Sequence, residues 1–327
     1  MPWTSREALI GDIGGTHARF ATCDLFGNTI RNRRTLSTKA FASFEDALTT
    51  YLSETGVHAA TACLAVAGPV ESGAARLTNA PWSFSEADIR RVAGVFGAHL
   101  VNDFEALARA VPQLDPDDLV AIKAGRAEDG ATLAVLGPGT GFGVASLVPC
   151  ARGWTGLPGE GGHMTFGAIN EEEWVIHDHL SALYDHVSVE RVLSGAGLEA
   201  IDIAFGGPGR TAREIVESAR RGEGGTAPRT LDAFVRILAR VAGDVALVVG
   251  ATGGVFLGGG IAPKILDFLD SEVFRAAFVA KGRMARYLSD IPVHVITAAD
   301  GGLRGAAAIV PTLVPDVARV GWANVRA

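Results

Sequence analysis

Three turns in this chain are rich enough in glycine to bring several backbone N–H groups onto one anion. They are Gly11-Asp12-Ile13-Gly14-Gly15-Thr16, Gly137-Pro138-Gly139-Thr140-Gly141-Phe142-Gly143 and Gly253-Gly254-Val255-Phe256-Leu257-Gly258-Gly259-Gly260. Glycine reaches positive φ and lets the backbone approach phosphate oxygens closely. Apolar runs flank the first two turns on both sides, Ala8-Leu9-Ile10 and Ala18-Arg19-Phe20-Ala21-Thr22 for one, Leu133-Ala134-Val135-Leu136 and Val144-Ala145-Ser146-Leu147-Val148 for the other. Each turn is therefore expected to join strand to strand. A dinucleotide fingerprint would join strand to helix, and a P-loop needs a Gly-Lys pair, which this sequence nowhere contains.

Two phosphate-gripping β-turns followed by a third glycine-rich element resemble the actin/hexokinase superfamily. In that likeness Gly11 to Thr16 match the first phosphate motif, Leu136 to Gly143 the second and Gly253 to Gly260 the adenosine motif. Within the superfamily, Val101-Asn102-Asp103-Phe104-Glu105-Ala106, Leu157-Pro158-Gly159-Glu160-Gly161-Gly162-His163, Val189-Glu190-Arg191-Val192-Leu193-Ser194-Gly195 and the tail Gly301-Gly302-Leu303-Arg304-Gly305 resemble the bacterial glucokinases, along essentially the whole chain. The resemblance implies a two-domain α/β, actin-like (ribonuclease H-like) ATPase fold with an interdomain active-site cleft. It implies phosphorylation of D-glucose on its 6-hydroxyl by ATP and Mg²⁺, and a homodimer. Asn102, Asp103, Glu160, His163 and Glu190 would bind the sugar, with Asp103 the catalytic base. Gly11, Asp12, Ile13, Gly14, Gly15, Thr16, Gly139, Thr140, Gly141, Gly259 and Gly260 would hold the nucleotide, and Asp12 would hold the metal through water. One departure is His17, where the glucokinase pattern usually has Asn.

The chemistry asks for these residue types independently. A hexose presents hydroxyls that each donate and accept, so carboxylates and amides can pair them by geometry. A sugar hydroxyl is a poor nucleophile, and a carboxylate within hydrogen-bond reach must take its proton as the phosphorus–oxygen bond forms. Structural roles compete at each position. Asp103 could simply complement a helix dipole, His163 could be an ordinary loop histidine, and Glu190, after Ser188, could serve a helix N-terminus. His177, Asp178 and His179 read as a solvated helix face, because positions i and i+2 diverge on a helix.

The elements that must position these groups alternate strand-like and helix-like, an α/β pattern. Ser43 to Thr55 places Phe44, Ala47, Leu48, Tyr51 and Leu52 on one helical face, Asn170 can cap a helix opening with Glu171-Glu172-Glu173, and a long apolar helix is expected from Leu231 to about Val249. Glu223-Gly224-Gly225-Thr226-Ala227-Pro228 reads as a mobile loop. Pro112 and Asp115-Pro116-Asp117-Asp118 break the pattern, which divides the chain into a small α/β domain, residues 1–110 plus about 298–327, and a large one, 111–297.

Length and composition agree with two domains: 327 residues, 48% hydrophobic and 20% charged. A net charge of −7 with scattered basic residues disfavours nucleic-acid and anionic-membrane partners. Cys23, Cys63 and Cys150 are too few and too far apart for a disulfide framework and read as buried small hydrophobes in a reducing cytoplasm. Met1-Pro2-Trp3-Thr4 leads almost at once into the first strand, without the core of an export signal. The uncharged stretch from Val245 to Pro263 has transmembrane length, but its glycines read as helix end, turn, strand and second turn.

Rival readings are a kinase for another hexose, a sugar-sensing regulator on the same fold, and a chaperone or filament ATPase. An intact Asp103 argues against the second, and the sugar-shaped polar set against the third. The repressor-related sugar kinases carry a cysteine-rich zinc motif after their Glu-x-Gly-His element, and here no cysteine follows Cys150.

Overall fold

In the computed structural model, which describes residues 5–151 and 153–314, two units each form around their own sheet: the described residues up to Leu114 with those from Ala299 onward, and Asp115–Ala298. The opening Met1-Pro2-Trp3-Thr4 and residues 315–327, assigned above to the small domain, lie outside the described residues.

The first unit opens with β1 (Glu7–Ile13), β2 (His17–Asp24) and β3 (Ile30–Ser37), an antiparallel meander, followed by α1 (Phe44–Thr55) and β4 (Thr61–Val66). A small antiparallel sheet of β5 (Val70–Glu71), β6 (Ala74–Arg76) and β7 (Ser83–Ser85) leads through α2 (Glu86–Ala93) to β8 (Gly97–Asn102) and α3 (Asp103–Ala110). The main sheet has the order β3-β2-β1-β4-β8, with β1, β4 and β8 parallel. Helix α1 forms where expected. The Ser43 side chain accepts the Asp46 N–H, Gly56 closes the helix at φ 62°, and Phe44, Ala47, Leu48 and Tyr51 are buried.

The second unit repeats this plan. β9 (Leu119–Lys123) precedes a meander of β10 (Leu133–Pro138), β11 (Phe142–Cys150) and β12 (Gly153–Gly159). The helices α4 (Glu171–Ser181), α5 (Val189–Val192), α6 (Gly195–Ala204), α7 (Ala212–Arg220) and α8 (Thr226–Val249) come next. The unit closes with β13 (Gly254–Leu257), α9 (Leu266–Leu269), α10 (Glu272–Val279), α11 (Ala285–Ser289) and β14 (Val293–Ile296), in a sheet of order β12-β11-β10-β13-β14-β9. The chain then returns to the first unit as α12 (Gly301–Leu313), which packs on α3, β1 and β4. In both sheets an antiparallel meander is extended by parallel strands from its first member.

Helix α8 carries the second core. Phe234, Val235, Leu238, Ala242 and Val245 are buried with Ile176, Val192, Leu198 and Phe274. It starts five residues earlier than expected, and this corrects the loop reading of Thr226-Ala227-Pro228, which form its first turn. Proline is tolerated there because its missing N–H would have had no intrahelical partner. Thr226 Oγ1 anchors the start by donating to Asp202 at 2.6 Å. The stretch from Val245 onward is helix end, turn at Gly250, strand β13 and second turn, and no described helix is long and apolar enough to cross a membrane.

Two smaller expectations are corrected. Cys23 and Cys63 are buried, but Cys150 is exposed at the end of β11, where its Sγ accepts from Thr155 Oγ1 at 3.3 Å. His177 is half-buried rather than solvated, its ring set edge-on to Trp174 with centroids 5.4 Å apart.

Candidate active site

The first glycine turn joins β1 to β2, strand to strand. Gly14 N–H donates to the His17 carbonyl at 2.9 Å, while Thr38 ties the turn down from outside, its N–H on Thr16 O at 3.0 Å and its Oγ1 on Gly14 O at 2.9 Å. Gly15 has no room for a side chain, since a Cβ there would lie 2.8 Å from Asn79 Cβ. Thr16 and His17 are exposed. His17 contributes its carbonyl to the turn, a role that any residue could fill.

Asp12 lies just before this turn. Its Oδ2 accepts from Arg19 Nη1 at 2.9 Å across the hairpin. Burial pushes the Asp12 carboxyl above its usual value, and the charge and hydrogen bond of Arg19 work in the opposite direction. The tail motif closes over the same carboxylate: a Cβ at Gly302 would sit 2.8 Å from Asp12 Cγ. Glycine at the start of α12 is thus a packing requirement set by Asp12.

Parallel registers bring the end of β1 and the end of β8 to one edge of the sheet, because Ile13 pairs with Val66 and Val66 with Asn102. The first glycine turn and Asn102/Asp103 therefore emerge two strands apart, roughly 10 Å at ordinary strand spacing. That is the carboxyl end of the parallel strands, where α/β folds place ligands. Asn102 is the cap of α3: its Oδ1 accepts the N–H groups of Phe104 (2.9 Å) and Glu105 (3.3 Å), and its Nδ2 donates to Gly68 O at 3.4 Å. Asp103, first residue of α3, is half-buried, with Oδ1 3.0 Å from the Phe104 nitrogen. The cap itself is Asn102, while Asp103 stands in the acidic first turn, where its charge also complements the helix dipole.

In the second unit the hairpin β10–β11 turns at Gly139-Thr140-Gly141, with Gly139 N–H on Gly141 O at 2.8 Å and Thr140 exposed. The third glycine element lies against it. Gly258 N–H donates to Leu136 O at 2.9 Å and Ile261 N–H to Pro138 O at 3.1 Å, and Gly259 adopts φ 81° where a Cβ would meet Pro138 O at 2.5 Å. Gly139, Thr140, Gly141, Gly259 and Gly260 therefore share one end of this sheet.

Phe142, the residue after the turn, holds two further motifs. Its N–H donates to Glu190 Oε2 at 2.9 Å, and its carbonyl packs on Gly162, where any Cβ would collide with it. The loop Glu160-Gly161-Gly162-His163 is a short 3-10 turn in which His163 Nε2 lies 3.8 Å from Glu160 Oε2, both side chains exposed. Met164 O accepts the Val189 N–H at 2.8 Å, so the loop and α5 are bound together. His163 and Glu190 line one cavity of about 400 Å³, with Tyr184, Asp185, His186 and Arg191 among the residues of its wall. The capping role considered for Glu190 is filled by Ser188, whose Oγ accepts the Arg191 N–H at 3.3 Å.

Arg19 and the Phe142 amide, the partners of Asp12 and Glu190, are the groups that motif reading missed. Arg19 was within reach: counting outward from the turn pairs Ile13 with Ala18 and Asp12 with Arg19.

Two sheets of similar topology, each turning on glycine between the first two strands of its meander, define the two-unit actin-like ATPase architecture of sugar kinases. The glucokinase family profile matches residues 9–312. The chain is 44% identical to a glucokinase of Chromohalobacter salexigens, covering 92% of this chain and 97% of that one. It is 42% identical to a glucokinase of Chromobacterium violaceum, covering 92% and 88%. The crystal structure of a glucokinase from an Antarctic psychrotroph superposes with a TM-score of 0.83 at 37% identity, over 94% of this chain and all of that one. The chain belongs to the glucokinase family.

Proposed function

We propose that the protein phosphorylates D-glucose on its 6-hydroxyl with ATP, giving glucose 6-phosphate and ADP. The observation that carries this reading is the placement of Asp103 as first residue of α3, at the carboxyl end of β8, on the same sheet edge as the first phosphate turn. A carboxylate there can accept the proton of the 6-hydroxyl as its oxygen attacks the γ-phosphorus and ADP leaves. Asn102 fixes Asp103 through the helix cap, and Glu160, His163 and Glu190 supply further acceptors and donors for sugar hydroxyls. Backbone N–H groups of Gly15 and Thr16 and of Thr140 and Gly141, with the Thr16 and Thr140 hydroxyls, take the phosphates, while the Gly14 and Gly139 N–H groups close the turns themselves, and Gly259 and Gly260 leave room for the adenosine.

Magnesium belongs to the same reading. With Oδ2 on Arg19, Asp12 keeps one oxygen for a water of the metal, and the described residues hold no group of three His, Cys, Asp or Glu able to cage an ion. This donor set fits an ion brought in on ATP and steadied through water, which would neutralise charge on the transferred phosphoryl group. The reading also makes the enzyme a cytoplasmic homodimer that starts glucose into glycolysis.

The test is ADP release with Mg-ATP across glucose, mannose, fructose, glucosamine and N-acetylmannosamine, with Asp103→Ala as control. Glucose-dependent turnover that collapses in the variant supports the reading. Sugar binding without turnover on any hexose would replace the enzyme with a sensor.

A further inference from the structure

The segment Val189 to Gly195 grips the second phosphate turn at both ends. Gly195 N–H donates to Gly139 O at 3.1 Å, at the first residue of the turn, and Phe142 N–H donates to Glu190 Oε2 at 2.9 Å, just after it. The fit leaves no slack, since a Cβ on Gly141 would collide with the same Oε2. Val192 and Leu193 are buried in the core, so this segment is a fixed part of the unit. Glu190 thus has one oxygen committed to the backbone of the phosphate turn, while its side chain also lines the cavity shared with His163.

We infer that Glu190, beyond contacting sugar, is a positioning residue for the nucleotide: its carboxylate sets the shape of the Gly139-Thr140-Gly141 turn, so ATP affinity depends on it even when no sugar is present. The inference rests on the glucokinase reading for the identity of the two ligands. A hydrogen bond between a carboxylate and a backbone amide is stronger than a neutral one, and an amide left without its partner loses the geometry that presents its neighbours to phosphate. A residue that only touched sugar would leave nucleotide binding untouched.

The experiment measures equilibrium binding of AMP-PNP with Mg²⁺, without sugar, and of glucose separately, by calorimetry on the whole chain. The proteins are wild type, Glu190→Ala and Glu190→Gln, with thermal melts establishing that each is folded. In Glu190→Ala, AMP-PNP affinity falls by about tenfold, the loss expected for one orphaned amide. Glu190→Gln keeps an oxygen for the Phe142 N–H and restores most of that affinity while glucose binding stays weak. Unchanged AMP-PNP affinity in Glu190→Ala overturns the inference, as does an equal loss in both variants. Should Glu190→Ala fail to fold, Glu190→Met makes the same test, because it keeps the length of the side chain without an oxygen for the Phe142 N–H. Wild type that shows the Glu190-dependent AMP-PNP binding but no turnover of glucose would sink the glucokinase reading alone; wild type that binds no AMP-PNP sinks both.

Discussion

Asp12 and Arg19 face each other across the β1–β2 hairpin, with 2.9 Å between Arg19 Nη1 and Asp12 Oδ2. The pair joins the proposed metal-holding carboxylate to a cation on the neighbouring strand, within the same hairpin that carries the first glycine turn.

Because burial outweighs Arg19 and raises the Asp12 carboxyl, ionising Asp12 works against folding. A raised folded value means that the contribution of the protonated form is present below the unfolded pKa and is lost as pH rises through the folded one. Asp12→Asn should therefore abolish most activity, by roughly 100-fold or more as for lost electrostatic groups, without lowering the melting temperature at pH 7. The stability difference in favour of the variant should grow between acid and neutral pH. A variant that melts well below wild type at neutral pH would contradict this account.

Asp103 and Asn102 should separate chemistry from folding. Asp103→Asn is expected to lower kcat by about 10²- to 10⁴-fold, the usual worth of a general base, with urea unfolding little changed. Asn102→Ala removes an acceptor shared by two helix N–H groups and should cost about 1 kcal/mol of stability. It should also reduce kcat/KM, because Asp103 loses its seat.

Gly305 sits where α12 crosses α3, and a Cβ there would collide with the Ala106 carbonyl. Gly305→Ala should destabilise by about 1–3 kcal/mol in denaturant titration, as overpacked cores do. Since α3 begins with Asp103, turnover should fall with stability, whereas Gly224→Ala, at an open position outside any helix, should spare turnover.

Asp202 is buried and accepts from Arg210 Nη2 (2.7 Å) and Thr226 Oγ1 (2.6 Å). Burial pushes its carboxyl up, but the hydrogen bonds from Arg210 and Thr226 and the Arg210 charge win and hold it below the usual carboxylate value. This stabilisation is present above the unfolded pKa and is lost as pH falls through the folded one. Arg210→Ala leaves the buried carboxylate without its countercharge and should cost about 3–5 kcal/mol, moving the acid-unfolding midpoint to higher pH.

Cys150 is the exposed thiol among the described residues, while burial pushes the Cys23 thiol up to about 12 and raises Cys63 as well. An aromatic disulfide reagent should modify one thiol quickly in the native protein and the other two only on unfolding. Three fast thiols would contradict the buried placement.

The glycine turns, the flanking apolar runs, the helix stripes of α1 and α8 and the polar motifs were legible because each depends on residues close together in the chain. Local chemistry dictates them: φ freedom at glycine, period 3.6 in a buried helix, a cap before an acidic first turn. The start of α8 was misread because Glu223-Gly224-Gly225 signals a loop, while the anchor that lets the helix begin at Thr226 is Asp202, 24 residues away. Cys150 was misread because cysteine is usually buried, and only the position of the end of β11 exposes it.

By itself, then, the sequence determined which groups could grip phosphate and pair with hydroxyls, and which segments become strand or helix. Tertiary structure decided what those groups are attached to. Gly302 touches Asp12, Gly305 seats α12 on α3, and Glu190 takes the Phe142 amide, across separations of 290, 199 and 48 residues. Such contacts follow from strand register and helix packing in three dimensions, and no spacing along the chain encodes them.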